Sequence, residues 1–543
     1  MSAAQPAPAV PDEANPRRWA ILGVLVVSLL IVVLDNTVLN IALPTIQRDL
    51  GATQSQLVWS VDAYVLVFAS LLFTWGVLGD KYGRKKILII GLAIFAVGSA
   101  ACSVATSPGM LIALRALMGI GGAAVTPVTL AIITVVFPPR ERGRAIGMWA
   151  AAVGAAVALG PVLGGLLLQN PQWFHWLTGN DWGSVFLINV PIVAIGIVGI
   201  VLLVPESRNQ HARALDIPGL VVSVSGLSLM VYGIINANTH SWLAASVLGP
   251  ILAGAALLAL FIVLERRSDH ASFDVSLFRN RGFSVSLSAV SLAFFALSGI
   301  TFTLPFYLQI VRGNDTLVAG LMFLPFAVGQ ILGAPRSAKM VARFGARFVV
   351  AGGLFLVTLA LVGMTQLSQT TPTWVFLGIF FFFGFGMGNV IAPSTTIIQN
   401  VLPIDRVGAG SAVQNTVRQV FGAFGVAILG TILTNQYASR VAPTLGALPA
   451  GFPEKGRAAL GNTVASVPHV LSVAQAHGLP ASAAETIRTG AFESFLGASH
   501  VTSAIAAVVV LSAALLVAFM LPTVKPATRP AMAGAPETVP VMD

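Results

Sequence analysis

Trp19-Ala-Ile-Leu-Gly-Val-Leu-Val-Val-Ser-Leu-Leu-Ile-Val-Val-Leu34-Asp35-Asn-Thr37-Val-Leu-Asn40-Ile-Ala42 carries a single charge along its whole length. About 20 apolar residues cross the hydrocarbon core of a bilayer as a helix, so this stretch reads as a membrane span. Asp35 then lies inside it. A carboxylate at the centre of such a helix costs about 2.5–3.5 kcal/mol on insertion scales, and chains that retain one use it to line a path for ions or substrate. The run is too long for the apolar region of a secretory signal and has no small-residue cleavage site, so it stays as a span.

The rest of the chain repeats the pattern. Of its 543 residues, 56% are apolar and 9% charged, against about 25% charged in a soluble domain, and the mean hydropathy is +0.87. The fold class is therefore an all-α polytopic membrane protein. Fourteen apolar stretches are long enough to span, the first at 19–42, and an even number puts both termini on one side. The segments between spans decide which side. One alternate set holds 21 of the 30 Lys and Arg residues, including Arg17, Arg18, Lys81, Arg84–Lys86, Arg140–Arg144, Arg213, Arg266, Arg343, Arg406, Lys525 and Arg529. The opposite set holds six, and Arg115, Arg336 and Arg418 fall in or beside spans. By the positive-inside rule both termini are expected in the cytoplasm. The same rule accounts for the net charge of +10 without any nucleic-acid partner.

The expected organisation is a disordered tail at 1–18, a six-helix bundle at 19–204, an inserted helix pair at 215–264, a second six-helix bundle at 283–521 and a tail at 522–543. A loop at 434–500, on the side away from the termini, is expected to carry short helices near Ala459–Ala476 and Ala481–Phe495. A weak internal repeat supports two halves. Gly76-Val-Leu-Gly-Asp80-Lys-Tyr-Gly83-Arg84 follows the second span, and Lys339-Met-Val-Ala-Arg343-Phe-Gly345-Ala-Arg347 follows the corresponding span of the later set. Homologous halves around a central site are a common transporter plan.

The Gly76-to-Arg84 string, with Lys85 and Lys86, resembles the cytoplasmic loop signature of the major facilitator superfamily. Three further strings agree. Leu34-Asp35-Asn-Thr37-Val-Leu-Asn40-Ile-Ala-Leu-Pro44 resembles the first-span signature of that superfamily's fourteen-span drug:H⁺ antiporters. Arg115-Ala-Leu-Met-Gly119-Ile-Gly121-Gly122 is similar to a fourth-span motif linked to proton coupling. Gly160-Pro161-Val-Leu-Gly164-Gly165 is similar to the fifth-span motif of antiporters, with Ala156 where a glycine often stands. The resemblance implies two six-helix bundles plus two inserted helices, a proton-coupled antiporter exporting lipophilic cations by alternating access, and a bacterial cytoplasmic (inner) membrane location. A dedicated exporter of one metabolite, self-made antibiotic or lipid is the alternative it leaves open. Pro205-Glu206-Ser207-Arg208 resembles a sugar-transporter tetrapeptide and is too short to weigh heavily.

The residues assign parts to this scheme. Asp35 and Arg115 are the candidate proton-coupling pair, since a nearby guanidinium stabilises the charged carboxylate and desolvation opposes it. A lipophilic cation competing for Asp35 would then exchange with a proton. Asp62 and Trp59 share a face of the second span and are candidates for cation binding, as the resemblance also implies for Asp62. Asn40, Phe302, Phe306, Gln309, Met387 and Asn389 are candidates for the remaining wall, because an adaptable site needs aromatic, thioether and amide groups. Gly76, Asp80, Gly83 and Arg84 form a candidate switch loop, and Gly160, Pro161, Gly164 and Gly165 a candidate hinge. No phosphate-binding loop, nucleophilic triad or metal-ligand spacing occurs, and Cys102 stands alone, so no enzyme, cofactor or metal is expected. A proton gradient supplies the energy in this reading, and the expected partners are protons, small lipophilic or cationic substrates and the bilayer, around a monomer.

Overall fold

The structure is a computed structural model that describes residues 16–208, 217–237, 240–267, 275–401, 407–446, 448, 452–477 and 479–522. The expected tails lie almost wholly outside these residues, as do Arg213, Arg406, Lys525 and Arg529. The described residues form helices and connecting turns, with no strand among them.

The first half contains α1 (Arg18–Leu50), α2 (Gln54–Tyr82), α3 (Arg84–Ser103), α4 (Pro108–Val136), α5 (Pro139–Gln169) and α6 (Asn189–Leu203). An inserted pair follows, α7 (Ile217–Asn236) and α8 (Ala245–Arg267). The second half begins with α9 (Arg281–Pro305), which runs into a wider π-helical turn at Phe306–Val311. After a short helix Thr316–Leu321 come α10 (Leu324–Phe344), α11 (Ala346–Met364), α12 (Thr373–Val401), α13 (Val407–Gly446) and α14 (Ala481–Met520). Thirteen helices among the described residues are long and apolar enough to cross a membrane. The remaining expected span coincides with α5, a helix of 31 residues that ends in the apolar stretch Leu159–Gln169.

Local chemistry sets the boundaries. α1 runs eight residues past the expected end at Ala42, because Pro44 is accommodated and no turn residue intervenes before Gly51. Gly51 adopts φ +61°, a backbone open to glycine at little cost, and its N–H bonds the Gln47 carbonyl. Thr53 and Gln56 then close a reciprocal capping box that starts α2.

Helix packing follows two seams. α2 lies along α13, and α5 lies along Thr316–Leu321 and the start of α10. The inserted pair attaches through α7, which touches α2 and α13, whereas only 11% of the apolar window of α8 is buried. The internal repeat is visible in the backbone. Gly83 between α2 and α3 has φ +113°, and Gly345 between α10 and α11 has φ +84°. Each is a conformation that residues with a Cβ rarely adopt.

The stretch 434–500 is less of a loop than expected: the helix expected near Ala459–Ala476 is broken into two short ones, and the one expected near Ala481–Phe495 is the start of α14. α13 continues to Gly446 and α14 already begins at Ala481, so only the middle is independent, as Glu454–Asn462 and Val467–Ala476. Nothing between Ala481 and Val501 breaks a helix: Gly490 and Gly497 are tolerated, and no proline occurs there. This middle part covers the end of the molecule opposite the basic loops. Val464 and Val467 are buried, and the Thr463 hydroxyl donates to Gln47 Oε1 of α1 over 3.0 Å.

At the basic end an ion pair joins α1 to α5, with Arg18 Nε 2.7 Å from Glu141 Oε2. Arg18 holds the Glu141 carboxyl below its ordinary value of 4.5. A depressed carboxyl stabilises the fold above its unfolded value and loses that contribution as pH falls through its folded value. Acidification below about pH 4.5 should therefore cost the wild type slightly more thermal stability than Glu141→Gln, measured by unfolding in detergent at pH 7 and pH 3.5. Equal pH dependence would show that the pair contributes nothing.

Candidate functional site

Asp35 and Arg115 meet inside the first bundle. Arg115 Nη1 is in direct contact with Asp35 Oδ2, and neither side chain is more than 1% exposed. Two buried charges are tolerated when they are close and most of their remaining polar groups are bonded; here Arg115 Nη2 is the atom of the pair with no partner among the described residues. Asn189 of α6 donates to Asp35 Oδ1 over 3.0 Å and to Ser99 Oγ over 2.9 Å, and Ser99 in turn donates to the Phe186 carbonyl. Arg115 Nε donates to the Ser60 carbonyl over 3.1 Å, and its guanidinium lies over the Tyr64 ring at 4.4 Å. Five helices, α1 to α4 and α6, and the turn before α6 therefore converge on one ion pair.

This geometry holds Asp35 within the first bundle. Asp35 is enclosed by α1, α4 and α6 and is 2% exposed. It stands about 22 Å from the C-terminal end of α1 at Leu50.

Asp62 has the opposite setting. It is wholly buried, and neither oxygen has a hydrogen-bond partner among the described residues. Val58, one turn earlier on the same face of α2, is next to Gly430 of α13, and Phe302 of α9 packs against the same glycine. Asp62 thus faces the seam between the halves. Trp59 is half-buried beside it. A carboxylate stripped of donors is costly until a proton or a cation neutralises it.

The other candidates divide. Phe302 and Phe306 are buried with ring centroids 6.2 Å apart, at the junction of α9 with the first half. Gln309 Nε2 donates to the Ile41 carbonyl over 2.8 Å, so it ties the halves together at the far end. Asn40 is half-buried on α1. Met387 is fully buried in α12. Asn389 sits between Gly333 of α10 and Gly353 of α11 and donates to the Phe385 carbonyl, within the second bundle and not brought to the others.

The hinge string is a contact surface. Gly160 lies against Thr37 and Gly164 against Val38, so α5 approaches α1 at backbone distance. Gly165 meets the Thr316 carbonyl and Gly320 the Pro161 carbonyl, with Thr316 Oγ1 donating to the Gly165 carbonyl over 2.9 Å. These contacts, with Gln309–Ile41 and Thr463–Gln47, close the molecule at the end away from the basic loops. Gly165→Val is expected to prop that end open. In a Cys102→Ser background carrying Thr45→Cys, an impermeant maleimide should label the valine variant several-fold faster; unchanged labelling would mean that the seam adjusts without parting.

The switch loop is more tightly built than its sequence shows. Arg84 pairs with Asp80 at 2.7 Å, and Gly76 and Gly79 bring α2 against Pro127 and Val128 of α4. Glu206, in the tetrapeptide of little sequence weight, accepts from the backbone N–H groups of Lys85 and Lys86 at 3.0 and 3.2 Å. It occupies the N-terminus of α3, where a carboxylate satisfies orphan donors and the helix dipole. A side chain at Gly83 would strike that carboxylate at 2.8 Å. Glu206, Asn189 and Ser99 escape sequence reasoning, although an amide inside the apolar run Leu187-Ile-Asn189-Val is a readable signal. Among the described residues no group of acids, histidines and cysteine could hold a metal.

Known proteins share this arrangement. The chain is 34% identical over 502 residues to the multidrug efflux pump LfrA of Mycolicibacterium smegmatis, covering 92% of this chain and 96% of that one. It is 31% identical over 507 residues to the tetracenomycin C resistance and export protein of Streptomyces glaucescens, covering 93% and 91%. In fold it is similar to a bacterial homolog of the human lysosomal transporter Spinster, solved in an inward-facing, unoccupied conformation, with a TM-score of 0.62 at 16% identity over 93% of this chain and 98% of that one. The family model for the Major Facilitator Superfamily matches residues 25–426, the stretch that contains the Asp35–Arg115 pair, the switch loop and the seam of α5 with Thr316–Leu321. With paired bundles, motifs and match in the same place, this chain is a multi-pass membrane transporter belonging to the Major Facilitator Superfamily.

Proposed function

We propose that this transporter exports lipophilic, mainly cationic drugs across the bacterial cytoplasmic membrane in exchange for protons, with both termini in the cytoplasm. The observation that carries the reading is the position of Arg115. One edge of its guanidinium holds Asp35, while its Nε and its face hold Ser60 and Tyr64 of α2, on either side of Asp62. Protonating Asp35 removes the charge that fixes Arg115, and the change is felt on the helix that carries the second acid. Proton and cargo then use different carboxylates joined through one arginine, and the two-state element is α2 at its seam with α13.

The multidrug efflux named for one relative favours a polyspecific site with Asp62, Trp59, Phe302 and Phe306 as its charged and aromatic wall. The export of a single antibiotic named for the other favours the dedicated reading. Efflux from proteoliposomes under an imposed pH gradient, assayed with a panel of mono- and dicationic dyes, tests both. Substrate-dependent proton release across several dyes is the expected result. Release with one compound only would select the dedicated exporter, and release with none would reject proton antiport.

A further inference from the structure

A cavity of about 460 Å³ lies outside the site described above, between the inserted pair and the α2–α13 seam. Its size falls in the range of small-molecule sites. Its chemistry is ordered along the membrane normal. At the basic end it is lined by Glu265, 3% exposed, and by the exposed Arg266, both in the last turn of α8. Deeper in, the lining becomes apolar, through Leu227 and Met230 of α7 to Phe424 of α13. From Leu220 to Met230 the cavity follows α7 for about 15 Å, which is half of a hydrocarbon core about 30 Å thick. It is one leaflet deep, with both signs of charge at the interface and none at the midplane.

We propose that a zwitterionic phospholipid of the leaflet at the basic end occupies this cavity, with an acyl chain along α7 and α13, its phosphate against Arg266 and its ammonium toward Glu265. A simple cation is a poorer match, because it would meet Arg266 at the same end. Much of the outer wall is α8, whose remaining surface faces lipid, so acyl chains are already its neighbours. A lipid there would wedge between the inserted pair and a seam that must move during transport. This inference is independent of what the transporter exports.

Native mass spectrometry of the full chain in mild detergent tests it, with exchange against vesicles of phosphatidylethanolamine or phosphatidylglycerol. The wild type should retain a single phospholipid and favour phosphatidylethanolamine. Leu227→Trp, which narrows the cavity at mid-depth, should retain several-fold less, and Arg266→Gln should bind roughly tenfold more weakly through loss of one charge-assisted contact. Phosphatidylethanolamine with a photoreactive acyl chain should label peptides of α7 and α13 in the wild type, a readout that does not depend on the tryptophan variant folding. Absence of retained lipid, equal retention by both variants, or labelling spread evenly over the lipid-facing helices would overturn the proposal. So would protection of α7 by a lipophilic cationic dye in the absence of lipid, which would make the cavity a cargo site. Dye efflux, measured in parallel, reports on the exporter reading separately.

Discussion

Asp35→Asn is expected to reduce proton-coupled efflux to the level of protein-free liposomes, for every substrate. The asparagine keeps the shape of the side chain and removes the carboxylate charge that pairs with Arg115. The substitution also strands Arg115, whose side chain is fully buried. Removing one partner of a buried pair costs about 3–5 kcal/mol, so the variant should unfold more readily as well as fail to transport. Asp35→Asn combined with Arg115→Gln separates the two effects. Stability should largely return, because the uncompensated charge is gone, while coupling should not. Recovery of coupled efflux in the double variant would refute the assignment of the proton to Asp35. Asn189→Ala leaves both charges in place and removes one hydrogen bond to a carboxylate, so a smaller loss, roughly tenfold in rate, is expected.

Asp62→Asn is expected to divide substrates by charge. Export of dications should fall by about ten- to a hundredfold, and export of monocations should stay within about threefold, because a second positive charge needs a second negative partner in a poorly hydrated seam. Measured proton release per monocation should be unchanged, since Asp35 and Arg115 remain. The same substitution should stabilise the unliganded protein, as it replaces a buried carboxylate that has no donor with a neutral amide. Equal losses for both substrate classes would place Asp62 in the coupling machinery instead. A fall in stability would show that the acid has a structural partner in another conformation of the cycle.

Much of the architecture was legible in one dimension because the bilayer is a severe solvent. Every backbone group must be satisfied within its own helix, so span length and apolarity are strongly constrained. That is why α1 to α4, α6 and the inserted pair fall where hydropathy places them. The switch loop was legible for a different reason: Gly83 needs an unusual φ, and such positions leave a glycine in the string. Helix ends beyond the membrane were less legible. α1, α13 and α14 all extend farther than their apolar stretches, since outside the bilayer only local propensity and packing decide where a helix stops.

The amino-acid order determined by itself that the chain crosses a membrane many times, that it has two related halves, and that Asp35, Asp62 and Arg115 stand at membrane depth. These follow from the cost of placing charge and unpaired backbone in hydrocarbon, which acts on each segment alone. Tertiary structure decided which acid is paired and which is not. Asp35 and Asp62 are both single acids within apolar helices, but helix rotation turns one toward Arg115 and Asn189 within a bundle and the other toward the seam between halves. Glu206 and the leaflet-deep cavity beside α8 likewise arise only where distant segments meet, because a hydrogen bond or a cavity belongs to the space between helices and not to any one of them.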